Sequence, residues 1–98
     1  MQRPTIPRPA VDSAIRNHLV DEAIERYVEW REECATVEAA YRCWSDACRT
    51  EQTIAFAIYN AALDREECAA RVYSGAVSRL RRFLWREFEL DPSLPRAA

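Results

Sequence analysis

The chain has no lysine: all fourteen of its cations are arginine. With its many alanines, this bias suggests a GC-rich bacterial coding sequence, and it carries no information about mechanism. The 98 residues hold one glycine and one histidine, and no proline falls between Pro9 and Pro92. With one glycine, Gly75, a glycine-rich phosphate cradle cannot be built. A single histidine, His18, leaves no convincing nucleophile–base pair. It also has no glutamate three residues before it, so the inward-facing Glu-x-x-His pairs of a bundle di-iron site are missing. The sequence reads as non-catalytic, with no cofactor, no metal and no evident small-molecule substrate.

Other absences set further bounds. No apolar stretch approaches the ~20 residues that span a bilayer. The opening Met1-Gln2-Arg3-Pro4-Thr5-Ile6-Pro7-Arg8-Pro9 lacks the apolar run of a secretory signal. The expected compartment is therefore cytoplasmic, with reduced thiols. A net charge of −2 argues against general nucleic-acid or anionic-membrane binding, which calls for a basic excess. The four cysteines, Cys34, Cys43, Cys48 and Cys68, lack the close pairs of a zinc site, since eight, four and nineteen residues separate them. They read as small buried or boundary side chains.

What remains is helix. Almost half of the residues are apolar and almost a third charged, a balance that suits a small helical domain. With proline and glycine nearly absent from the middle, Ala, Arg, Glu and Leu make residues 10–91 strongly helical by propensity. Val20, Ala23, Tyr27, Trp30, Cys34, Val37, Tyr41, Trp44 and Cys48 follow a 3-4 alternation without a slip, which puts them on one stripe of a helix. The first helix is expected over about 12–47, capped by Asp12 or Ser13, with Glu22, Glu25, Glu29 and Glu32 forming a solvated face. Ser45-Asp46-Ala47-Cys48-Arg49-Thr50 marks the break, with Thr50 as the cap of a second helix over about 51–89. Gly75, between Ser74 and Ser78, is a candidate kink. Residues 1–9 read as a disordered proline-rich tail and 92–98 as a frayed end.

Two such helices joined by a short turn pack antiparallel. The second has a wider apolar face than the first can cover. A bend at Gly75 into three helices would hide it, and so would dimerisation into a four-helix bundle. The uninterrupted heptads of the first helix favour the dimer. Glu66 falls inside the apolar face of the second helix and is expected level with Arg31. A partly buried Arg31–Glu66 pair would set register more than it would add stability. Glu38 and Arg42 are spaced to pair along the first helix.

The run Arg79-Leu80-Arg81-Arg82-Phe83-Leu84-Trp85-Arg86 mixes basic and aromatic residues in the way phosphate backbones or acidic partners are met. Arg79, Arg82, Trp85 and Arg86 are the interaction candidates, although Glu87, Glu89 and Asp91 follow closely. Arg31-Glu32-Glu33-Cys34-Ala35 recurs as Arg65-Glu66-Glu67-Cys68-Ala69. The offset of 34 residues is that of a tetratricopeptide repeat, but two copies make no solenoid.

A helical hairpin of about a hundred residues with Trp44 near its turn resembles the small WXG-type substrates of type VII secretion. The matching segment is Trp44-Ser45-Asp46, where the family places glycine third, and Val77 stands four residues after Tyr73 where the family's secretion signal has an acidic residue. That resemblance implies a secreted hairpin that pairs with a sister chain. The residues themselves point first to a protein–protein interaction or assembly module, a homodimer or the partner of another helical protein. A small DNA-associated regulator acting through the arginine cluster is the other alternative.

Overall fold

A computed structural model describes residues 7–90. Two helices of equal length, α1 (Arg8–Asp46) and α2 (Gln52–Leu90), fold back on each other as an antiparallel hairpin. The fold is all-α, and the break falls where Ser45 to Thr50 weakens helix propensity. Ala47 takes an extended backbone (φ −67°, ψ 138°), its amide closes on the Trp44 carbonyl, and α1 stops there. The Glu51 amide then donates to the Cys48 carbonyl at 2.9 Å, and α2 begins at Gln52.

Four expectations about the helices need correction. The first helix starts at Arg8, not at 12. Pro7 precedes it and Pro9 sits in its first turn, where the amides are free and proline's missing N–H costs nothing. Asp12 and Ser13 therefore lie inside the helix, and no side chain caps it. The proline-rich tail accordingly loses Arg8 and Pro9 to α1; residues 1–6 and 92–98 lie outside the described residues. Finally, α2 runs through Gly75 without a break, and Gly75 has an ordinary negative φ. The glycine's flexibility is overridden by the hydrogen-bonded turns on either side.

The seam itself is rotated from the expected stripe. In α1 and the residue that ends it, an unbroken 3-4 run of buried and half-buried side chains comprises Arg16, Leu19, Ala23, Arg26, Trp30, Glu33, Val37, Ala40, Trp44 and the cap Ala47. In α2 the run is Ala55, Tyr59, Ala62, Glu66, Ala69, Tyr73, Ala76, Leu80, Phe83 and Glu87. In heptad lettering, Trp30, Trp44, Tyr59 and Tyr73 occupy a, while Ala40, Ala62 and Ala76 occupy d. Ala23, Trp30, Val37 and Trp44 were on the expected stripe. Its other half, Val20, Tyr27, Cys34, Tyr41 and Cys48, stands at e, beside the seam. Tyr27 and Tyr41 are 45% and 51% exposed.

Small side chains explain the choice. Ala62 and Ala76 are 0% and 1% exposed, and Ala23 and Ala40 are buried too. Alanine at these points lets the two backbones approach closely, because interaxial distance follows the side chains at the contact. Rings fill the space between. Trp30 stacks on Tyr73 (5.8 Å, 19°), and two heptads toward the turn Trp44 stacks on Tyr59 (5.4 Å, 18°). Tyr27 and Tyr41 flank the two stacks in the same way, at 5.5 Å from Tyr73 and 5.7 Å from Tyr59. The sequence Tyr-x-x-Trp, present at 27–30 and 41–44, therefore builds one aromatic cluster twice.

Neighbouring residues of α2 make this packing testable. A Cβ added at Gly75 meets only Arg79 Nη1 at 3.5 Å, an ordinary contact with a flexible side chain. Gly75→Ala should stabilise the chain by about 0.5–1 kcal/mol, because glycine loses more backbone freedom on folding. Ala76→Leu should cost about 1–3 kcal/mol by forcing the helices apart. Urea unfolding followed by circular dichroism reads both; equal signs for the two variants would contradict the seam.

Candidate interaction surface

The hairpin has two flanks of opposite character. In an antiparallel pair the e positions of both helices lie on one side of the seam and the g positions on the other. The g side carries Glu22 and Glu29 from α1 and Arg65, Arg79 and Arg86 from α2, with exposed Ile15, Ile58 and Val72 between them. Arg79 donates to Glu22 at 2.6 Å, and Arg65 approaches Glu33 at 3.5 Å. Near the open end, Arg16 donates to Glu87 at 3.1 Å. All are partly exposed, so each contributes at most about 1 kcal/mol. They nevertheless pair Glu22, Arg79 and Arg65 of this flank within the chain.

The e side is apolar. Val20, Tyr27, Cys34 and Tyr41 of α1 face the same way as Phe56, Leu63, Ala70, Val77 and Leu84 of α2. Ile24, Tyr27, Tyr41, Phe56 and Leu84 are exposed. A shallow groove runs between the helices here, lined by Val20, Ala23, Ile24, Tyr27, Tyr73, Val77 and Leu80. Another apolar hollow lies at the far end of α2, bounded by Arg81, Leu84, Trp85 and Phe88. Apolar side chains left facing water along a whole helix pair are the mark of an interaction surface.

Each expected site residue can now be placed. Glu66 does reach the level of Arg31, but it accepts a 2.8 Å hydrogen bond from Trp30 Nε1. Trp30 is at a, facing the seam, whereas Arg31 is at b on the outside. The Arg31 guanidinium lies over the Trp30 ring, 5.9 Å from its centroid, within cation–π range. Arg31 and Glu66 form no ion pair. Register is set instead by an indole N–H and a carboxylate, a charge-assisted bond. Glu22 also leaves the solvated row in which it was expected, because it turns to Arg79.

Of the arginine cluster, Arg79 is engaged by Glu22, while Arg82 and Arg86 are exposed. Trp85 is 60% exposed and meets Phe88 edge-on at 5.9 Å. Glu38 accepts from Arg42 at 2.7 Å, as its spacing implies. The feature sequence reasoning missed is the apolar e flank. Its signal is the repeated Tyr-x-x-Trp, whose tyrosines share the 3-4 spacing of their tryptophans but stand one stripe aside from the seam.

Among the described residues, no group of three or more His, Cys, Asp or Glu side chains could hold a metal ion, and no helix is long and apolar enough to cross a membrane. Compared with protein-family models, curated proteins and solved structures, the chain matches none. The class is accordingly defined by form alone: an antiparallel helical hairpin with one charged flank and one apolar flank.

One thiol stands apart chemically. Cys48 is exposed in the turn, and the Thr50 hydroxyl lies 3.2 Å from its sulfur. Thr50, and next the Glu51 amide, stabilise the thiolate and hold the Cys48 pKa below that of an ordinary thiol, as hydrogen bonds to a charged form do. Alkylation by iodoacetamide should therefore be faster at Cys48 than at exposed Cys43 near neutral pH. Its rate should climb at a lower pH, and Thr50→Val should narrow the difference. Equal pH profiles for the two cysteines, resolved by peptide mass mapping, would contradict this arrangement.

Proposed function

We propose that this chain is a non-catalytic assembly module that joins further helices through its e flank, a second copy of itself first among them. The observation that carries this reading is the contrast between its two sides. One side carries charges, Glu22 and Arg79 pairing across the helices, and the other leaves Tyr27, Tyr41 and Phe56 facing water with no charge at its e positions. The hairpin is a single layer of helices, whose thinnest dimension is 13 Å. Small domains ordinarily bury an apolar face between two layers. A second layer supplied by another chain would supply the missing half of a four-helix bundle.

Burying that face also offers the stability that a two-helix chain lacks. The core of the single hairpin consists of alanines and partly covered rings, little apolar area for a domain of this length. Association would then be coupled to stability, so the melting temperature should depend on concentration.

Light scattering on the purified chain should give an assembled mass, and the thermal midpoint should rise with protein concentration. Tyr27→Glu with Tyr41→Glu should return the mass to that of one chain and remove the concentration dependence. Arg86→Glu on the charged flank should leave both unchanged. A natural chain that stays single at every concentration rules out self-assembly.

A further inference from the structure

Resting on the assembly reading, we infer that the occupant of the e flank is a second copy laid with its turn at the same end, α1 of each chain covering α2 of the other. The face is large enough. The e positions from Val20 to Cys48 and from Phe56 to Leu84 span ~42 Å of helix and a pair is ~20 Å across, giving roughly 840 Å² per chain. Stable dimers need about 800 Å² from each partner. No charged residue occupies an e position from Val20 to Cys48 or from Phe56 to Leu84. A surface without charge of either sign is matched by an equally neutral one, and a two-fold axis brings such a surface onto itself.

The sense of packing follows from the levels of the side chains. Tyr27 stands beside Tyr73 and Tyr41 beside Tyr59, so residues of α1 and α2 at equal distances from the turn are level. A two-fold axis along the hairpin keeps those levels. Near the middle, Tyr27 then faces the small Ala70 of the second copy and Leu63 faces the small Cys34, while toward the turn Tyr41 faces Phe56, ring against ring. At the rim, Arg31 faces Glu67 of the second copy, twice by symmetry. Both residues are at b and exposed, on the edge where the two hairpins meet.

The opposite sense, with the turns at opposite ends, lays α1 on α1 and α2 on α2. Midway along the hairpins, Tyr27 then meets Tyr27, and Ala70 falls opposite Val77. Two tyrosine rings compete for one place on the α1 side. Arg31 falls near Ile24 and is unanswered, while Glu67, already held by Arg71 of its own chain at 2.6 Å, falls near Arg81. The Tyr27 self-contact and the unanswered Arg31 favour turns at the same end.

The turn supplies its own reporter. A chain with Cys34→Ala, Cys43→Ser and Cys68→Ser keeps only Cys48, the exposed turn thiol, for a spin label. Pulsed dipolar spectroscopy on the labelled dimer should give a label separation below about 30 Å, set by the width of a helix bundle. Turns at opposite ends place the labels about 60 Å apart, the length of a helix; that distance overturns the inference and leaves the assembly reading intact. A single-chain mass in the natural protein overturns both. Independently of the label, Arg31→Glu and Glu67→Arg should each weaken the dimer by about three- to tenfold, and the double exchange should restore it. Losses that simply add in the double variant also overturn the inference.

Discussion

Close approach of two backbones is the condition for everything else in this molecule. Ala62 and Ala76 have nothing beyond Cβ and are sealed by α1, as Ala23 and Ala40 are by α2. Only at that separation can Trp30 lie flat on Tyr73 and Trp44 on Tyr59. Flat ring pairs at centroid distances of this order contribute about 0.5–1.5 kcal/mol beyond their buried area. The alanines and the rings thus alternate along the seam, the first setting the spacing and the second filling it. Trp30 adds a direction, because its N–H must find Glu66; a slip by one heptad would take that acceptor away.

The same seam decides where the remaining apolar surface goes. Each helix carries more apolar circumference than one partner covers, so choosing one pair of stripes leaves the next pair exposed. The exposed pair is the more apolar of the two available to α1: Val20, Tyr27, Cys34 and Tyr41 lie outside, while Arg26, Glu33, Ala40 and Ala47 lie inside. Hydrophobicity alone would rank them the other way. The inner stripe wins because alanine permits approach, and because long charged side chains can bury their stems while their ends reach water or an opposite charge. Arg16 with Glu87 and Glu33 with Arg65 follow that pattern.

The reading of two long helices, their break and their antiparallel pairing needed no coordinates. Residues 10–91 contain a single glycine and no proline, and the 3-4 spacing of Ala23, Trp30, Val37 and Trp44 is a property of the chain itself. The rotation of the seam was not readable, since Tyr27 and Tyr41 extend the same periodicity on one side as Arg26, Glu33 and Ala40 do on the other. Which flank faces inward depends on the partner helix, and the alanine stripe of α2 lies far away in sequence. Arg31 and Glu66 illustrate the same boundary: their level was predictable from the position of the turn. Their contact was not, because one turn of the wheel hands the carboxylate to Trp30 instead.

Local sequence therefore determined the elements: helix propensity, the weak stretch around Asp46 and the repeat of seven are short-range properties that each segment carries alone. Tertiary structure decided which side of each helix was hidden, where Glu66 and Glu22 found their donors, and which aromatic residues stayed in water. Those outcomes depend on two surfaces meeting at one separation and one rotation, and neither segment encodes them without the other.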